Sequence, residues 1–571
     1  MTAPPATGPD RPPRLTDELR RANDRHRHWV PLLVLSFLLL LAWVWTPWMA
    51  DFAPPGIEAW EETPVLERAI TGDGHLRTSA WIHRAGDMDR DDQKLLLIGL
   101  VAIGFLCVYY LPLRWKRPPL VLLTLTGLGW VLGPTAVALF LAWHVFAYAS
   151  FHRPDPRRPA TAPGSALLAL TGARSLAPDA EASGVLVGAA VAWPLLHLAY
   201  ALAWRPLTAR SRALRGFVAH ASLVYIAIQF LGNWLLGDDP LPRPLGWLLF
   251  FWQWERLVMY RIDLEDGRVP RDLGLIQYLT LFFTPAAIAN FHWLSRIPLG
   301  YRAVDQSFLA RDKNRVMLSG LWLLTLSVLF FALRPVLLEL FQMGMEALGL
   351  PSTTRYGRTV ARLERGPVEV LAVWCALVYP FLSFAFLWAG VAHLKVGLWR
   401  LLGHDVERYF QRPYLSTNLV ELWKRYSFHY REFLVQAFYY PVFLRYFRRW
   451  PRLRVFAATF AAAGLGNLVY HVMFAALAYE TTPEIFVSRM ATLPYYVLLG
   501  TGIAATQVFL VARGRRRRRP WTRGWRLGLD LLAVAATFAF FVWIRPFHHL
   551  PKDDSLEASF RLVLAALGIS W

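Results

Sequence analysis

Residues 29–50 of this chain read WVPLLVLSFLLLLAWVWTPWMA, with no charge until Asp51. A helix of about 20 such residues crosses the hydrocarbon core of a bilayer. Every backbone N–H and C=O must be satisfied within the segment, so a helix is the form such a block takes in lipid. Comparable blocks recur near 95–113, 119–150, 184–204, 216–237, 244–260, 318–341, 368–395, 455–478, 491–512 and 527–545. With residues 30–50 read as a retained first span, they predict an all-α polytopic membrane protein with about eleven transmembrane helices. Blocks 272–296 and 433–447 are broken or short, and they are expected to be re-entrant or buried by protein rather than lipid-exposed. The last run, 556–570, has only 15 residues and fits neither class.

Charge agrees with this reading. Charged residues make up 18% of the 571, against about 25% in soluble domains. The net charge of +21 comes from 61 Lys and Arg against 40 Asp and Glu. The basic residues crowd into short loops, as the positive-inside rule requires, and not into a soluble domain that would grip nucleic acid. Residues 51–93 carry ten acids and four Arg and are placed outside. Residues 114–117, 205–215 with four Arg, 445–454 with five, and 513–526 with eight are placed inside. The N-terminal tail, 1–28, is then cytoplasmic. Arg515 to Arg519 read as a topology anchor at the headgroups, or as an anionic-lipid site. Cys107 and Cys375 both lie in apolar blocks, and no grouping of Cys, His or carboxylates suggests a metal.

Polar groups inside apolar blocks are candidates for function because burying them in lipid is costly. His144, His197, His220, His292, His393 and His471 all lie in or beside such blocks. His471 stands out. In VFAATFAAAGLGNLVYHVMFAALA, Gly464, Asn467 and His471 share one helical stripe, while Phe456, Phe460 and Leu468 point elsewhere. The stripe fits either helix packing or the wall of a wet cavity. At 1.5 Å per residue from an inner start at 455, His471 lies roughly 24 Å up the span, in the outer half of the bilayer.

Segment 397–441 is the second constellation. It is too polar to span and dense in aromatics. Ser416, Thr417 and Asn418 offer N-caps ahead of Glu421. From Leu419 the spacing of Leu422, Trp423, Tyr426 and Tyr430 is amphipathic. An interfacial helix lying under the spans is expected, followed by re-entry at 433–441.

This segment resembles the membrane-bound O-acyltransferase family, in its bacterial branch of alginate O-acetyltransferases and D-alanyl-lipoteichoic acid transferases. Gly403, Phe410, Pro413, Tyr414 and Leu415 match one motif of that branch. Glu421, Trp423, Lys424, Arg425 and Tyr426 match a second, and Tyr439 and Pro441 a third. Tyr470-His471, after Gly464-Leu465-Gly466, looks like the family's later histidine site. Two positions depart from the pattern. Ser427 stands where the branch has His or Asn, and Tyr409 where it has Asn. His429 lies two residues on, about 200° around from Ser427 if the helix is continuous. The similarity covers roughly 215–480, with 29–214 and 481–571 as flanking transmembrane regions.

The resemblance implies a ring of spans around a tunnel open to both faces of a bacterial-type inner membrane. It implies that an acyl-coenzyme A or acyl-carrier-protein thioester enters from inside, as a substrate and not as a resident cofactor. The acceptor is a hydroxyl of a glycan or other exported compound, and a separate extracytoplasmic acyl-relay protein is compatible with the scheme. The acyl group expected is acetyl or similarly short. On this reading His471 is the base, suited by a pKa near neutrality. Ser427 or His429 orients the thioester or stabilises the oxyanion. Asn467 fixes the His471 tautomer, and Arg425 and Lys424 draw phosphates to the inner side, with Trp423 and Tyr426 lining the substrate path. Two other classes are compatible with the sequence. One is a non-catalytic scaffold or acyl conduit, favoured by Ser427 and Tyr409. The other is a secondary transporter with broken helices, disfavoured by the lack of an internal repeat and the scarcity of intramembrane acids such as Glu255.

Overall fold

Two antiparallel helices longer than any bilayer requires form the spine of the protein. The computed structural model describes residues 27–51, 90–132, 255–270, 272–284, 297–350, 356–471, 490–513, 525–548 and 556–569, with Val137, Leu141, His144 and Tyr148 besides. These residues form α1 (Trp29–Asp51), α2 (Arg90–Tyr110), α3 (Arg117–Leu132), α4 (Glu255–Glu265), α5 (Leu275–Phe282), α6 (Tyr301–Ser307), α7 (Lys313–Ala347) and α8 (Tyr356–Leu363). They continue with α9 (Val370–Leu401), α10 (Leu419–Tyr426), α11 (Phe428–Leu434), α12 (Tyr440–Arg445), α13 (Pro451–Phe460), α14 (Leu493–Ala512), α15 (Trp525–Ile544) and α16 (Leu556–Ala565). No strand occurs among the described residues. Among the described residues, five helices are long and apolar enough to cross a membrane: Lys313–Ala347, Val370–Leu401, Pro451–His471, Leu493–Ala512 and Leu527–His548. The protein is an all-α membrane protein. The expected spans at 184–204 and 216–237, much of those at 119–150 and 244–260, residues 52–89 of the acidic loop, the basic loop 205–215, the run Arg515–Arg519, and His197, His220 and His292 lie outside the described residues.

The spine is α7 against α9. Small residues let their backbones meet. A Cβ on Gly320 would come within 2.9 Å of the Gly397 carbonyl, and one on Gly390 would strike the Phe331 ring at 2.7 Å. Without a hydrophobic drive between helices in lipid, such close packing is what holds them together. Ser327 Oγ adds a bond to the Gly390 carbonyl at 2.7 Å. Asp312 caps α7 by accepting from the Arg315 amide. Gly403, at φ +82°, ends α9: the His404 amide reaches back to the Trp399 carbonyl and the Gly403 amide to that of Arg400.

The other elements pack on this spine. Tyr109 of α2 donates to Asn314 Oδ1 at 2.8 Å, and buried Lys313 donates to the Tyr109 carbonyl at 3.0 Å. A cation there suits the carbonyl-rich end of a helix. The block 272–296 yields the short helix α5. Fully buried Arg256 of α4 donates to the carbonyls of Leu281 and Phe282 at the end of α5 and to that of Leu299. The run 556–570, which the sequence left unassigned, forms α16. Its Ala558, Leu562 and Ala565 are buried with Val360 of α8 and Val373 and Leu377 of α9.

Segment 403–450 is neither a span nor a surface strap. It turns back beside α9, where Tyr409 and Tyr426 meet Trp388. Phe428–Arg445 then forms one helical arm, interrupted by a π-turn at Val435–Tyr439. This arm packs antiparallel to the helix that begins at Pro451. The exposed turn between the two carries Arg448, Arg449 and Trp450.

Candidate functional site

Three consecutive spans build one end of the bundle. Pro451–His471 runs antiparallel to α14, and α14 antiparallel to α15. Gly464 faces Tyr496 and Gly500, and Gly502 faces Phe540. His471 at the end of the first, Tyr495 and Tyr496 at the start of the second, and His548 just past α15 therefore meet. The His471 ring lies 5.4 Å from that of Tyr496 and 5.5 Å from that of His548, centroid to centroid. Tyr495 lies 4.9 Å from His548. Both histidines are half-buried.

The helix carrying His471 is not α-helical throughout. Ala461–Gly466 is a π-turn. It displaces the stripe that uniform α-helical spacing draws through Gly464, Asn467 and His471. Gly464 is spent on contact: a Cβ there would lie 3.1 Å from the Tyr496 carbonyl. Asn467 Oδ1 accepts from the Tyr430 hydroxyl at 2.8 Å. Asn467 is thus engaged by α11, and no hydrogen bond joins it to His471. π-Turns inside α-helices occur frequently at functional sites, and here two face each other, at 435–439 and 461–466.

Ser427 stands at the junction of α10 and α11, within the motif segment 403–441. Helix α10 begins as its sequence requires, with Asn418 Oδ1 accepting from the Glu421 amide while the Glu421 carboxylate reaches back to Thr417. Its position differs from the interfacial placement expected. Val420 is buried with Tyr495, Tyr496, Leu499 and Ile503, and Leu419 lies against Gly502, midway along the spanning α14. The polar residues that suggested a surface helix are satisfied locally. Arg425 pairs with Glu421 at 2.5 Å and Lys424 points to the exposed side. Trp423 packs beside the Val420 cluster. Tyr426 stacks on Trp388 at 5.6 Å, with its hydroxyl enclosed and without a hydrogen-bond partner among the described residues.

Ser427 interrupts the helix, with φ −148° and ψ +66°. The 200° offset between Ser427 and His429 assumed an unbroken helix and does not apply across this break. Both side chains are buried. His429 Nε2 lies 2.8 Å from the Glu407 carbonyl. A carbonyl only accepts, so Nε2 carries the proton and Nδ1 keeps the lone pair. Burial holds the His429 imidazole down to about 4 despite that carbonyl, with Arg400 adding to the effect. It is a neutral, fixed ring at neutral pH. Tyr409, the other departure, is buried against His429 at 5.8 Å and Trp388 at 6.3 Å. It fills space where a smaller amide is the pattern.

The Tyr430–Asn467 bond brings the two constellations together. Tyr430 follows Ser427 by one helical turn, and Asn467 precedes His471 by one. Sequence reasoning missed His548, Tyr496 and Arg545. His548 lies beyond the apolar block 527–545, behind Arg545 and Pro546, where hydropathy marks a loop; its signal was position at a span end opposite that of Arg513. Arg545 is buried and stacked over Phe384 at 4.8 Å. Among the described residues no group of three His, Cys, Asp or Glu is placed to hold a metal. A cavity of about 360 Å³ between α8 and α9, lined by Arg362, Arg365 and Glu369, contains none of the site residues expected from sequence. No protein-family model matches this chain, and no curated protein matches it significantly.

Proposed function

We propose that this protein is a membrane O-acyltransferase related to the membrane-bound O-acyltransferases, with His471 as the base. In the reaction, an acceptor hydroxyl oxygen attacks the carbonyl of an acyl thioester. The C–O bond forms and the C–S bond breaks. The hydroxyl proton passes to His471 and from there to the departing thiolate. The acceptor is a glycan or other exported hydroxyl compound, and the acyl group is short. The reading further takes the protein as a ring of about eleven spans around a tunnel in a bacterial-type inner membrane, with the N-terminus and the Arg448–Arg449 turn inside and His471 toward the outside.

The observation that carries this reading is the Tyr430–Asn467 hydrogen bond. It joins the helix that follows Ser427 to the helix that carries His471, the two segments in which the sequence resembles the family. Of the motif polar groups, Ser427 is the one left to orient a thioester, because the His429 Nε2 proton is held by Glu407. The test is His471→Ala, with ester-linked acyl groups on surface polymers followed in the host. Loss of those esters at normal protein level is expected. Unchanged esters would end the enzymatic reading.

A second reading, a non-catalytic scaffold or acyl conduit, draws on the same His429–Glu407 bond, which ties up the one imidazole close to Ser427. It predicts full biological activity for His471→Ala.

A further inference from the structure

Two imidazoles, not one, stand at the junction of the three spans. His548 comes from an element that the motif resemblance does not reach, yet its ring meets His471 at 5.5 Å and 84°. Two ring radii of roughly 1.2 Å plus a hydrogen bond of about 3 Å span such a separation. We propose that His548 is a positioning residue for His471. It accepts a hydrogen bond from the imidazolium that His471 becomes on taking the acceptor proton. This rests on the reading of His471 as the base.

The arrangement is built, not incidental. His548 is held from below by its amide bond to the Arg545 carbonyl at 2.9 Å. It is flanked by Tyr495 at 4.9 Å and Tyr496 at 5.9 Å. His471 is fixed between Tyr470 at 5.6 Å and Tyr496 at 5.4 Å. Among the described residues, the ionisable groups facing the pair are Tyr470 from the His471 helix, Tyr495 and Tyr496 from α14, and Arg545 one turn before His548. The Arg545 guanidinium is drawn aside onto the Phe381, Phe384 and Phe541 rings. Arg545 cannot accept, and a phenolic oxygen is a weaker acceptor than an imidazole nitrogen, so among the described neighbours His548 is the one that offers a nitrogen lone pair beside His471. A base oriented by a second group is the general pattern for activated proton transfer.

The experiment needs no substrate. Purified protein is treated with diethyl pyrocarbonate, which modifies neutral imidazole, from pH 5 to 8, and modification of His471 is followed by peptide mass spectrometry. His548→Phe keeps the ring packing and removes the acceptor; His548→Gln restores an acceptor oxygen. The pH midpoint for His471 is expected to fall in H548F by about half a pH unit, a roughly threefold loss of proton affinity, and to return toward wild type in H548Q. An unchanged or raised midpoint in H548F, or no recovery in H548Q, overturns the proposal. Because no acyl transfer is measured, a failure here leaves the acyltransferase reading standing, and loss of that reading through H471A leaves this measurement unaffected.

Discussion

Tyr430 and Asn467, separated by 37 positions in the chain, are joined by a hydrogen bond of 2.8 Å. The bond clamps α11 to the helix of His471 where α11 is about to enter one π-turn and the other helix has just left the second. Tyr430 also meets Tyr470 edge to face at 4.8 Å, so ring packing and hydrogen bond act on the same pair of helices.

Tyr430→Phe keeps the ring and strands the Asn467 carbonyl oxygen. A loss of about 1–2 kcal/mol of stability is expected, the cost of leaving a buried acceptor unpaired. A double-mutant cycle with Asn467→Leu, read by denaturant unfolding in detergent, should give a coupling of about 1 kcal/mol. A coupling near zero would show that the bond does not hold the helices together.

Gly500 and Gly502 sit on the same helix but face different neighbours. A Cβ on Gly500 would lie 2.7 Å from the Gly464 Cα, backbone against backbone, where nothing can swing away. A Cβ on Gly502 would meet the tips of Phe540 and Leu419, at 2.9 Å and 3.0 Å, which can move. Gly500→Ala is therefore expected to cost about 1–3 kcal/mol by overpacking, and Gly502→Ala clearly less. Thermal unfolding midpoints of the two variants provide the comparison. Equal losses would contradict the close approach at Gly464.

Arg256 is enclosed by carbonyl oxygens and by the rings of Phe282 and Trp399, at 5.3 Å and 5.6 Å. Arg256→Met fills much of the volume but leaves the carbonyls of Leu281, Phe282 and Leu299 without their donor. A loss of about 3 kcal/mol or more is expected, visible as a collapse of the monodisperse peak in size-exclusion chromatography. Wild-type behaviour of this variant would mean that the end of α5 is capped by other groups.

His404 and His429 lie outside the five spanning helices and are both held neutral by burial, at about 3 and about 4. Unfolded, each imidazole titrates near 6.5. Between these values the unfolded chain binds more protons than the folded one, so their contribution is complete above pH 6.5 and is lost as the pH falls toward 4. The thermal midpoint should drop between pH 7.5 and pH 4.5, and His404→Gln with His429→Gln should shrink that drop. A double variant with the wild-type pH dependence would exclude these histidines as its source.

The sequence by itself determined that the chain is helical and lies in a membrane. Block length and the absence of charge are local properties, and the requirement to satisfy backbone hydrogen bonds in lipid converts them directly into helices such as α7, α9, α14 and α15. It also determined the N-cap at Asn418, because a cap is made by residues within a few positions of one another. Tertiary structure alone decided where α10 lies, since its charges suggested a surface until the Arg425–Glu421 pair and the packing of Val420 were seen. It alone decided the phase of the His471 stripe, because a π-turn leaves no mark in hydropathy. And it alone decided that His548 stands beside His471: contact between residues 77 positions apart depends on the antiparallel course of three helices, which no periodicity within any one of them encodes.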